Sequence, residues 1–113
     1  MTTATLEAID GLLAGTPDAD EVLRGTVAAL VAEPAVVWAA IGFVEGDAVA
    51  LGPVAGTPDE ARRMRVPITF QGAIVGELWA DGEPHVQLLE QIAERIAPQV
   101  LIGWDTGGEA WEA

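Results

Sequence analysis

The chain has 113 residues, half of them apolar, which is enough for one domain with a real core and too apolar for a disordered segment. Its formal charge of -13 leaves too little positive charge to neutralise phosphates, which excludes nucleic acid and an anionic membrane surface as partners. There is no cysteine, which excludes disulfides, thiol catalysis and thiolate metal sites.

Leu6, Ile9 and Leu13 fall at helical spacing and mark a short amphipathic helix that Gly15 ends. No basic segment precedes a continuous apolar run here, so a signal peptide is not expected. No apolar stretch reaches membrane-spanning length, and the expected location is the cytoplasm. "TPDADE" then restarts a helix. Thr16 suits the N-cap and Pro17 the first helical position, while Asp18, Asp20 and Glu21 favour the positive helix end. Leu23, Val27, Leu30 and Val31 continue at helical spacing, and Pro34 closes the helix.

"AVVWAAIGFV", residues 35–44, is apolar at both parities, as in a central strand covered on both faces. "EGD" turns the chain, and "AVALG" returns as a second strand that Gly52 and Pro53 stop. "VAGTPDEA" reads as a loop with a helical turn. Met64, Val66 and Ile68 then alternate with Arg63, Arg65, Pro67 and Thr69, the cleanest period-two signal in the chain. After Phe70-Gln71-Gly72, read as a three-residue loop with Gly72 left-handed, Ile74, Gly76 and Leu78 alternate with Val75, Glu77 and Trp79. That loop pairs Met64 with Leu78, Val66 with Gly76 and Ile68 with Ile74, and sets Arg65 opposite Glu77 and Arg63 opposite Trp79. Gly76 would let a helix approach closely.

Pro84 opens a last helix with Leu88, Leu89, Ile92, Ile96 and Val100 on its apolar stripe. Pro98 should kink or end it, since it lacks an N–H and crowds the carbonyl of Glu94. Residues 1–103 are read as a single domain and 104–113 as a C-terminal tail carrying Trp104 and Trp111. Hairpins imply an antiparallel sheet, and the helices must bury their stripes on the face carrying Met64, Val66 and Ile68. The expected fold class is an α+β two-layer domain with helices on one face.

Three of the five basic residues lie within residues 62–81, and the chain has no lysine. Arg63, Arg65, Glu77 and Trp79 share the face opposite the helices, where Arg over Trp gives a cation–π contact and Arg opposite Glu an ion pair. Solvated cross-strand pairs explain the same residues. Other motifs carry less. "DTGG" at 105–108 has too little chain after it to bury a carboxylate pair, and a helix-ending glycine tail explains it. His85, the lone histidine, has no serine or cysteine to activate in this chain. Asp18, Asp20 and Glu21 need no cation to explain them at a helix start.

"RVPITFQGAIVGELWAD" followed by "HVQLLEQIAERIA" resembles the C-terminal half of a GAF domain, with its V-P-[IL] strand, turn, [IV]-G-x-L strand and closing helix. "VVWAAIGFVEGDAVALGPVAG" resembles the first GAF hairpin, nearest to the free methionine-(R)-sulfoxide reductase branch, where a strand ending in L-G-P is typical. The resemblance covers residues 16–103 and implies a GAF-like (profilin-like) fold in a reduced form. A roadblock-type or profilin-type fold is the alternative for this pattern of hairpins and helices.

The chain departs from the family pattern in two ways. Only "TPDEA" stands where the family has a segment roofing its ligand cavity. The reductase cysteines are missing, the acid preceding V-P-I falls on Arg63, and of the two acids in its L-D-I-D strand the first falls on Trp79 and only the second survives, as Asp81. The resemblance thus implies the fold and removes the reaction: no catalytic residue, metal or cofactor is expected. It also implies that Arg63, Arg65, Glu77, Trp79 and Asp81 line the family's ligand face. The expected function is a non-catalytic binding module for protein interaction or self-association in signalling or regulation. The alternative is a sensor of a small anionic molecule with a reduced cavity. A homodimer is expected, because three amphipathic helices offer more apolar stripe than one sheet face covers. Arg63 and Arg65 are expected to serve recognition more than folding.

Overall fold

In the computed structural model, which describes residues 3–15, 18–45 and 48–105, the elements follow the expected order. They are α1 (Thr3–Gly15), α2 (Ala19–Val31), β1 (Val36–Glu45), β2 (Ala48–Gly56), a 3-10 turn (Glu60–Arg62), β3 (Arg63–Phe70), β4 (Ala73–Gly82) and α3 (Val86–Asp105). The four strands form one antiparallel sheet in the order β2-β1-β4-β3, which makes β1 and β4 central. α2 packs on β1 and β2, α3 on β3 and β4, and α1 lies against α2 and α3. The chain is therefore the α+β domain the hairpins implied. Among the described residues no helix is long and apolar enough to cross a membrane.

α2 starts later than its sequence signal suggests. Asp18 is the N-cap, and its carboxylate accepts the Asp20 N–H at 3.0 Å. The proposed cap Thr16 and its neighbour Pro17 lie outside the described residues. Val22, Leu23, Val27 and Leu30 form the buried stripe, joined by Ile9 of α1 and by Leu89, Ile92, Ile96 and Val100 of α3. α3 does not end at Pro98 but runs on to Asp105, past the expected boundary at Gly103. A proline inside a helix costs about 3 kcal/mol. Burial of Ile96, Ala97 and Val100 on either side offsets that loss.

Two expectations about the strands are corrected. β2 does not stop at Gly52 and Pro53 but continues to Gly56. A bulge absorbs the pair, since Ala40 faces Val54 while Gly42 faces Leu51. β2 is an edge strand, where a proline's missing N–H breaks no ladder.

The second correction concerns the β3–β4 turn. Gln71 and Gly72 both have positive φ, 53° and 85°, the signature of a two-residue turn rather than the expected three-residue loop. A bulge on β4 at Val75 follows, between the pairs Thr69↔Ile74 and Ile68↔Gly76. Together they move the register by two residues. Val66 faces Leu78, Arg65 faces Trp79 and Arg63 faces Asp81. That two-residue shift keeps Arg63, Arg65, Glu77, Trp79 and Asp81 on one face, whereas past the bulge the shift is a single residue and carries Ile74, expected opposite Ile68 on the helix face, over to the face of Thr69. Gly76 does permit close approach: an added Cβ would lie 2.4 Å from the Gly42 carbonyl and 2.9 Å from Val100 Cγ1 on α3.

Candidate functional site

The sheet has two unlike faces. Ala39, Ile41 and Phe43 of β1, with Val66, Ile68, Leu78 and Ala80, are buried under the helices. A bulge at Val37, between the pairs Val36↔Gly82 and Trp38↔Asp81, leaves Val36 on the helix side, while Trp38 lies on the opposite face in regular alternation with Ala40, Gly42 and Val44. Trp79 and Val54 flank Ala40 there, and Glu77 and Leu51 flank Gly42.

All five sequence candidates, Arg63, Arg65, Glu77, Trp79 and Asp81, come together on this second face. Their partners differ from the expected ones because the register moved. Arg63 Nε donates to Asp81 Oδ1 at 2.8 Å and its NH2 group to Oδ2 at 3.0 Å, a two-pronged pair. The Asp59 backbone N–H donates a third bond to Asp81 Oδ2 at 2.6 Å. The Asp81 side chain is 0% exposed and that of Arg63 16%. The Arg63 hydrogen bonds, helped by the Asp59 N–H, hold the Asp81 carboxyl below the ordinary range against the opposing effect of burial. The same hydrogen bonds raise the Arg63 guanidinium above its ordinary value.

Residues 57–62 lie at this end of the face. The Thr57 N–H donates to the Val37 carbonyl at 2.9 Å, and Arg62 Nε donates to Asp59 Oδ2 at 2.8 Å. This short segment is thus tied to Asp81 and to the start of β1. Arg63 is partly buried and paired with Asp81 rather than exposed and free on this face.

The guanidinium and indole groups interleave. Arg63 lies 4.3 Å from the Trp38 ring centre and 5.4 Å from that of Trp79. Arg65 lies 4.2 Å from Trp79, and the two indoles are 6.4 Å apart at 46°. The expected ion pair between Arg65 and Glu77 is replaced by a hydrogen bond from Trp79 Nε1 to Glu77 Oε1 at 2.8 Å. Among the described residues, Arg65 is the one arginine without a carboxylate partner. Arg24 pairs with Asp20, Arg62 with Asp59, Arg63 with Asp81 and Arg95 with Asp10. Arg65 is exposed, and its stack on Trp79 is a surface contact worth about 1 kcal/mol. Replacing Arg65 alone with Gln is therefore expected to lower the melting temperature by only a few degrees, and a thermal melt checks this.

Away from this cluster the same face is apolar and open. Val49, Leu51 and Ile74 are 36%, 46% and 56% exposed. Among the described residues, exposed large apolar side chains thus occur on the sheet as well as on α3, at Val86 and Leu101. Sequence reading missed this strip and the part played by Trp38. Alternation in "AVALG" was the available signal for Val49 and Leu51, and for Trp38 it was the parity shared with Ala40, Gly42 and Val44.

The remaining motifs stay apart. His85 is exposed and lines a cleft of about 260 Å³ with Glu33, Pro34, Glu83 and Leu88. Asp105 ends α3, while Thr106, Gly107, Gly108 and Trp111 lie outside the described residues, as does the Trp104 side chain. Among the described residues no three His, Cys, Asp or Glu side chains converge as metal ligands do.

No family model and no curated protein matches the chain. Solved structures do. One is fRMsr of Staphylococcus aureus in complex with its substrate, at a TM-score of 0.70 and 18% identity, with 87% of this chain and 94% of that chain covered. Another is the GAF domain of an Acinetobacter phosphoenolpyruvate-protein phosphotransferase, at a TM-score of 0.70 and 9% identity, with 95% of this chain and 98% of that chain covered. At these identities the likeness is one of fold. The chain has the GAF-like fold, and it has no cysteine.

Proposed function

We propose that this GAF-like domain is a non-catalytic binding module that associates with protein surfaces through the open face of its sheet, in a signalling or regulatory setting. The observation that carries this reading is the division of that face. One end is filled by the chain's own Trp38, Arg63 and Asp81, and the rest exposes Val49, Leu51 and Ile74. A small-molecule site buries most of its ligand in a concavity, whereas a flat exposed apolar strip suits another protein. Catalysis has no support from the cluster. Asp81 is ionised and neutralised by Arg63, so it holds no proton to give near neutral pH and makes a poor base. The chain contains neither cysteine nor serine as a nucleophile.

Two measurements test this. Purified protein with free methionine sulfoxide and a thiol reductant is expected to show no turnover, and turnover would overturn the reading. A thermal-shift survey of small organic anions distinguishes the sensor alternative, which the unpartnered Arg65 favours. A ligand present at a hundred times its dissociation constant stabilises by about 2.7 kcal/mol. In a domain of this size that raises the melting temperature by about 10 °C or more. No such shift is expected, and one would favour the sensor.

A further inference from the structure

We propose that the occupant of the open sheet face is a second copy of this chain, docked about a two-fold axis so that Arg65 of each copy meets Glu77 of the partner subunit. The inference rests on the binding-module reading and names its partner. Its ground is charge complementarity within one small patch. Arg65 and Glu77 lie diagonally on the same face, on the adjoining pairs Arg65↔Trp79 and Pro67↔Glu77. They do not pair with each other, because Trp79 engages both: its ring stacks under Arg65, and its Nε1 donates to Glu77 Oε1. Among the described residues neither charge has an opposite partner. Trp79 holds each in place and leaves the guanidinium edge and the second carboxylate oxygen available.

A patch with one cation and one anion beside an apolar strip is its own complement under a two-fold rotation. Residue i meets j and j meets i, which gives two reciprocal Arg–Glu contacts from one pair of residues. Exposed Leu51 and Ile74 flank the two charges and would meet apolar surface across the axis. An unrelated partner needs a matching surface of its own, whereas a second copy already carries one. The charge of -13 on each copy opposes association at low salt. At about 0.15 M salt the Debye length is about 8 Å, which screens this repulsion while leaving contacts within the interface largely intact.

Charge exchange tests the arrangement. In sedimentation velocity at about 0.15 M salt, the wild-type chain is expected to be dimeric at high micromolar concentration. Arg65→Glu and Glu77→Arg should each be monomeric under the same conditions, since each places like charges across the axis twice. An equimolar mixture of the two variants should sediment as a dimer, because both cross-contacts are then of opposite charge. Monomeric wild type, or single variants that dimerise as wild type does, would overturn the proposal. A mixture that stays monomeric would also overturn it, provided both variants melt normally. Should either variant fail to fold, Leu51→Glu replaces it as the probe, with monomer expected and a wild-type dimer overturning the proposal. Failure here leaves the binding-module reading standing, because the turnover and thermal-shift measurements test that reading independently.

Discussion

Replacing Asp81 with Ala is expected to destabilise the domain by about 3 kcal/mol, because breaking a buried ion pair from one side strands the other partner. The Arg63 side chain, 16% exposed, would lose both hydrogen bonds, and the Asp59 N–H would lose its acceptor. Arg63→Gln should be at least as harmful, since it leaves the Asp81 carboxylate at 0% exposure without its cation. Replacing both residues together, Arg63→Met with Asp81→Leu, should recover most of the loss, as apolar substitution of a whole buried pair often does. Urea unfolding of the three variants decides the matter, and an Asp81→Ala protein as stable as wild type would show that the pair contributes nothing.

The same pair sets a pH dependence. The folded-state pKa of Asp81 is depressed, while an aspartate in the unfolded chain titrates near 3.9. Below that value the unfolded chain binds more protons than the folded one, so stability rises with pH there. The contribution is fully present above about pH 4 and is lost as pH falls through the folded-state value. Asp81→Asn removes the titrating group. Its stability should therefore decline less steeply than that of wild type below about pH 4.

The second large effect is expected at Trp38. Its side chain lies on a central strand, is 6% exposed and stacks against the Arg63 guanidinium at 4.3 Å. Trp38→Ala should cost about 3–5 kcal/mol, combining lost burial with the cavity left behind. Trp79→Ala provides the contrast. Trp79 is only partly buried, so its loss should lower stability much less while releasing Arg65 and Glu77 from their fixed positions. Thermal melts of the two variants side by side check this, and equal losses would mean that Trp79 is as structural as Trp38.

The shared face of Arg63, Arg65, Glu77, Trp79 and Asp81 was legible from alternation alone, because strand parity survives any even shift of register. Who pairs with whom was not legible. That depended on the Gln71-Gly72 turn and the bulge at Val75, and a glutamine at positive φ is a conformation that composition does not advertise. The stripe through Val100 makes the helix legible past Pro98, where burial of Ile96, Ala97 and Val100 outweighs local propensity, and α3 runs two residues beyond the expected tail start at Gly103. β2 was cut short for a related reason: a proline that would break a central strand is harmless at an edge, and edge position is a property of the whole sheet. Asp81 read as a surviving remnant of a family motif, and only three dimensions show it as the buried anchor of Arg63 and of the segment at residues 57–62.

Backbone amide chemical shifts followed by NMR as protein concentration rises test the central claim most directly. If the open sheet face is the association surface, the shifts should concentrate on Leu51, Val54, Ile74, Glu77 and Trp79, with α1 and α2 unchanged. Shifts confined to the helices, or none up to high micromolar concentration, would contradict it.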